Sequence, residues 1–138
     1  MSTLAESRSV GNIAAKIGGA VYVAWGVLHL VAAWGIHVLA ASLPPGIAYG
    51  RMEQAAWHLA VFALLAMVLG VSLNWRNDQL GYWINLVVVA LVDLGFVLLI
   101  VVPGYVPVSA GSLAGPIVYV VAAVFSTIGR LSPDAPRF

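Results

Sequence analysis

His29 and Asp93 are the side chains in this sequence best suited to moving a proton. Each sits inside a long apolar run, where an ionisable group is expensive to keep and is seldom retained without use. An imidazole and a carboxyl sharing a water-poor environment make an acid and base pair. No serine nucleophile motif accompanies them and cysteine is absent, so hydrolysis through a covalent serine or cysteine intermediate is set aside. Isomerisation, cyclisation and other proton-coupled chemistry stay open. The lack of cysteine also excludes disulfides, thiolate metal sites and thiol redox chemistry.

Other polar and aromatic residues gather around these two along the chain. Tyr22, Trp25, Gly26, His29 and Ala33 recur at three- and four-residue steps and therefore share one helix face. Gln54 and His58 stand four apart, as do Glu53 and Trp57, so each pair can touch. His37 lies about 80° further round its helix than His29 and ~12 Å higher, which prevents those two from chelating one metal. His29, His58 and Asp93 would hold zinc only if three helix faces converged, which their spacing does not require, so no metal site is expected. The site read from the sequence thus has His29 and Asp93 as catalytic residues. Its ligand contacts come from Tyr22, Trp25, His37, Arg51, Glu53, Gln54, Trp57 and His58.

The elements that must position these residues follow from composition. Of 138 residues, 62% are hydrophobic and only 8% charged, and the mean hydropathy is +1.02. Globular proteins carry about 25% charged residues, so this chain cannot cover a water-facing surface and lipid must be its solvent. A net charge of +1 without a basic cluster argues against nucleic acid as a partner. Apolar runs at 13–41, 52–73, 80–102 and 113–129 are each near or above the roughly 17 residues that cross the hydrocarbon. The first is far longer than the roughly 7 to 15 residues of a signal-peptide core, so it reads as a span.

Breakers separate the runs. Pro44, Pro45 and Gly46 force a turn, Asp78 or Asn77 can cap the third helix, Pro103 ends it, and Pro116 suits the first turn of the fourth. Loops this short make consecutive helices antiparallel neighbours. The predicted fold is all-α: one membrane domain over residues 1–138, an integral membrane four-helix bundle with four transmembrane helices.

Orientation follows from the basic residues. Arg8, Lys16, Arg76, Arg130 and Arg137 lie on the side of the termini and second loop, against Arg51 alone on the other, which places both termini in the cytoplasm of a multi-pass inner (plasma) membrane protein. Trp75, Tyr82 and Trp83 fall near the inner interface, and Tyr49 and Tyr105 near the outer one. Counting ~1.5 Å per residue from each span's midpoint puts His29 and Asp93 both ~3 Å outward, His58 ~7 Å outward, and His37, Arg51 and Glu53 ~15 Å outward. Asn85 is the main polar residue of the inner half.

These observations predict an intramembrane site in the outer half of the bilayer that binds a small or lipophilic ligand and moves protons on it. Two alternatives fit the same residues. One is a proton- or cation-coupled transporter acting as a dimer, although the inner half offers little polarity beyond Asn85, Ser126 and Thr127. The other is a structural or haem-binding subunit of a larger membrane complex, with His29 and His58 as the axial ligands of any haem.

Overall fold

The computed structural model describes the backbone of residues 2–132 and the side chains of residues 10–132. Four helices follow one another: α1 (Ser2–Ala41), α2 (Ile47–Ser72), α3 (Gln79–Phe96) and α4 (Ala114–Leu131). A single 3₁₀ turn, Asn74–Arg76, precedes α3, and a π-helical segment, Val97–Val101, continues it. No strand occurs among the described residues. All four helices are long and apolar enough to cross a membrane.

The helices begin and end where backbone chemistry dictates, with two departures from the apolar runs. α1 starts at Ser2 rather than residue 13, because Leu4, Ala5, Glu6 and Arg8 favour helix although they are not part of the hydrophobic stretch. α2 starts at Ile47 rather than residue 52, because the break is confined to residues 42–46, where Pro44 and Pro45 supply no backbone donors. Asp78 caps α3 by accepting hydrogen bonds from the backbone N–H of Leu80 at 2.8 Å and of Gly81 at 3.3 Å. The turn before it needs a left-handed residue, which Asn77 supplies at φ 57°. Pro116 stands in the first turn of α4, where its missing N–H leaves nothing unpaired.

Between helices apolar enough to cross a membrane, close packing matters more than apolar burial, so small residues decide which faces meet. α1 is the central helix, packed along both α2 and α4, while α3 lies across α2 and α4. Toward α2, α1 turns Gly19, Gly26, Ala33 and Ala40, a seven-residue repeat met by Ala56, Ala63 and Gly70. A Cβ on Gly19 would come within 2.7 Å of the Gly70 carbonyl oxygen, and one on Gly26 within 2.8 Å of the Ala63 oxygen. Toward α4, α1 turns Gly11, Ala15, Gly18, Tyr22, Trp25 and His29. Gly11 meets Ser132, Ala15 meets Gly129, Gly18 meets Ser126, Tyr22 shares the core with Ala122, and His29 lies against Gly115. Tyr22, Trp25, Ala66, Val89 and Ala122 form the buried core. The α1–α4 seam leads from that core to His29.

Candidate functional site

Three side chains from two helices meet at the end of the seam. The Trp25 indole Nε1 donates a hydrogen bond to Asp93 Oδ2 at 3.0 Å, both groups being buried. One turn on, the His29 ring stacks against Trp25 with centroids 3.7 Å apart and an interplanar angle of 23°. His29 Nδ1 lies 2.9 Å from the Trp25 carbonyl oxygen, and Nε2 lies 3.3 Å from Asp93 Oδ1. The histidine side chain is 12% exposed and the aspartate 5%.

One of these contacts places a hydrogen on the histidine ring. A carbonyl oxygen only accepts, so His29 Nδ1 carries a hydrogen. A proton placed between Nε2 and Asp93 Oδ1 could stand on either atom. On nitrogen it makes an imidazolium–carboxylate pair, and on oxygen a neutral imidazole beside a carboxylic acid. Either arrangement carries no net charge, which lowers the cost of burying the two groups together. Asp93 Oδ1 is buried and, 3.3 Å from Nε2, has no aligned hydrogen bond.

The surrounding backbone makes room for the pair. A Cβ on Gly115 would stand 2.7 Å from His29 Cε1 and 3.3 Å from Asp93 Oδ1, so only glycine lets α4 pass over the site. Four residues beyond Asp93, α3 widens into the π-helical segment, a distortion often found beside functional residues. A cavity of about 300 Å³ adjoins the pair, lined chiefly by Leu28, His29, Ala32, Leu59, Val92 and Phe96. His29 is its one titratable lining residue.

The remaining residues expected at the site separate into other places. Tyr22 is buried one turn from Trp25 in the α1–α4 seam and does not line the cavity. His37 and Glu53 pair with each other, Nδ1 lying 2.9 Å and 3.0 Å from the two carboxylate oxygens. With Trp34 and Trp57 they line a second cleft, of about 270 Å³, between α1 and α2. Arg51 donates to the side-chain oxygen of Gln54 at 2.8 Å on the exposed surface. His58 is exposed, some 200° round α2 from buried Ala56.

His58 and His29 therefore do not face one another, and the axial pairing that a two-histidine haem site requires is not formed. Among the described residues, no group of three or more His, Asp or Glu side chains gathers to hold a metal.

Several residues that shape the site or its surroundings were not singled out from the sequence. Gly115 reads as part of a Gly- and Pro-rich loop, and spacing gives no sign that it faces a helix elsewhere in the chain. Tyr119 donates to the Leu86 carbonyl at 3.0 Å, and Asn74 meets the amide of Asn85, the polar residue already read in the inner half, at 2.9 Å. Comparison with protein-family models, with curated proteins and with solved structures finds no match for this chain.

Proposed function

We propose that the chain is a multi-pass protein of the inner (plasma) membrane with both termini cytoplasmic. In this reading its His29–Asp93 pair lies in the outer half of the bilayer and moves a proton on a small lipophilic molecule. The observation that carries it is that His29 both lines an apolar cavity and touches a buried carboxyl. The apolar lining suits a hydrocarbon body, and His29 offers the molecule's polar end its one ionisable contact. The pair takes a proton from one atom of the molecule and returns it to another, an isomerisation or cyclisation that requires no outside reagent. Trp25 holds the carboxylate in place through its indole N–H. The five-to-one bias of basic residues supports the orientation.

The test starts from protein purified in detergent, extracted with organic solvent and examined by mass spectrometry. Wild type is expected to retain a discrete lipophile that Ala32→Trp, which fills the cavity, releases. His29→Ala and Asp93→Asn are expected to insert and fold but fail to convert that molecule. If no lipophile is retained and the two variants lose only stability, the pair merely joins helices. Because the chain has no cysteine, orientation is read from single replacements. Ser109→Cys should react in intact cells with an impermeant thiol reagent, and Arg76→Cys only after lysis.

A further inference from the structure

The second cleft, between α1 and α2, sorts its lining by polarity. Its two ionisable groups, His37 and Glu53, stand together at one end. Seven residues from them lie Leu30 on α1 and Ala60 on α2, so the other end is apolar and ~10 Å away. Buried Ala33 and Ala56 line the cleft between the ends, and their small side chains leave the space open. Trp34 and Trp57, one from each helix, flank it and are exposed on the outside of the bundle. The Trp34 ring leans on His37 with centroids 5.2 Å apart, and Trp57 follows Glu53 by one turn on the same face.

The charge of the cleft is one-sided. An ionised Glu53 only accepts, so His37 Nδ1, at 2.9 Å and 3.0 Å from its two oxygens, carries the hydrogen between them. While the imidazole is neutral, the cleft holds one negative charge. Among the described residues, no lysine or arginine lines it to cancel that charge. Arg51 precedes Glu53 by two residues, which turns it ~200° round α2, and there it donates to Gln54 instead. The His37 contact is itself partly exposed and contributes little to holding the helices, so Glu53 can exchange it for a stronger donor. An anion would be repelled, and a neutral guest would leave the charge unanswered.

We infer that this cleft binds a primary alkylammonium, the head and first carbons of a single-chain cationic amphiphile. The ammonium donates to the Glu53 oxygens and lies within reach of both indoles, whose ring faces attract cations. The chain then runs past Ala56 and Ala33 toward Leu30 and Ala60. At about 270 Å³ the cleft is smaller than the roughly 300–1,000 Å³ pockets that enclose a whole drug-sized molecule, so the rest of the chain stays outside along the apolar helices. An aminophospholipid carries the same ammonium beside a phosphate, for which the lining offers no basic side chain. The cleft works independently of His29, which lines the other cavity.

The test follows the indole N–H signals of the isotope-labelled full chain by NMR in neutral detergent micelles, each assigned by replacing one tryptophan at a time. Hexylammonium is expected to shift Trp34 and Trp57 saturably and to leave Trp75 and Trp83, at the other end of the bundle, in place. Hexanol and hexanesulfonate, with the same chain and no positive charge, should give no saturable shift. Glu53→Gln keeps an acceptor for His37 but should weaken hexylammonium on the order of 10-fold. Trp57→Leu, read at Trp34, should weaken it about 3-fold. His37→Ala frees Glu53 and should hold or tighten binding. The signal of buried Trp25 should stay put throughout, showing the bundle intact, and if Glu53→Gln moves it, Trp57→Leu decides. Dihexanoylphosphatidylethanolamine should bind more weakly than hexylammonium, and equal binding would make a lipid headgroup the occupant and overturn the free amine. If Glu53→Gln binds hexylammonium as wild type does, if hexanol saturates the same signals, or if Trp75 and Trp83 shift alongside Trp34 and Trp57, the amine is only partitioning into the micelle and the site is refuted.

Discussion

The His29–Asp93 and His37–Glu53 pairs each join an α1 imidazole to a carboxyl from a neighbouring helix, and the shorter contact is the less consequential one. His37 and Glu53 approach to 2.9 Å but are 45% and 29% exposed, whereas His29 and Asp93 stand 3.3 Å apart at 12% and 5%. Exposed ion pairs contribute about 0–1 kcal/mol. Removing one member of a buried pair costs about 3–5 kcal/mol, because the other is left uncompensated. The environment, more than the distance, separates a site from an anchor.

The largest expected effect tests that difference directly. Asp93→Leu should destabilise the protein by about 3 kcal/mol in mixed-micelle unfolding, and adding His29→Leu should recover most of the loss, since the second change removes the stranded group. The same cycle on His37 and Glu53 should show coupling of about 0.5 kcal/mol. Equal coupling energies in the two cycles would erase the distinction.

A second comparison uses one glycine near each pair. Gly115→Ala places a methyl 2.7 Å from His29 Cε1, so the ring must leave Asp93, and a loss of about 1–3 kcal/mol is expected. Gly35, two residues before His37, has nothing within 4 Å of an added Cβ. There, alanine should stabilise α1 by about 0.5–1 kcal/mol through helix propensity alone. Thermal unfolding of both variants gives the sign at each position.

The contrast also shows what the sequence could and could not tell. Relative level along the bundle was legible, because helical rise per residue is fixed: His29 and Asp93, read at one level, meet. Direction around each helix was less so. His58 falls close in level but faces away, since α2 gives its Ala56, Ala63 and Gly70 face to α1. The alanines of that face were visible in the sequence, and the angle from Ala56 to His58 follows from them. Gly115 and the pairing of Asn74 with Asn85 depend on which helices become neighbours and in what register. A single sequence does not encode that in any local pattern. Tyr82, read as an interfacial aromatic, is buried and bonded to Thr127 because α3, capped at Asp78, turns Gly81 and Tyr82 inward and Leu80 and Trp83 outward.

The smallest expected effect is also the most discriminating, because it concerns the pair with the better distance. Glu53→Gln keeps an oxygen that accepts from His37 Nδ1 and removes only the negative charge. In the wild type one N–H is shared between two carboxylate oxygens at 2.9 Å and 3.0 Å, so neither bond is aligned as a single directed bond would be. With both side chains partly exposed, the charge contributes less than about 1 kcal/mol, and raising the salt should remove most of that. Unfolding of Glu53→Gln at low and high ionic strength is expected to converge on wild type as salt rises. A salt-independent loss comparable to that of Asp93→Leu would place the second cleft among the buried sites, with Trp34 and Trp57 as its walls rather than as belt residues.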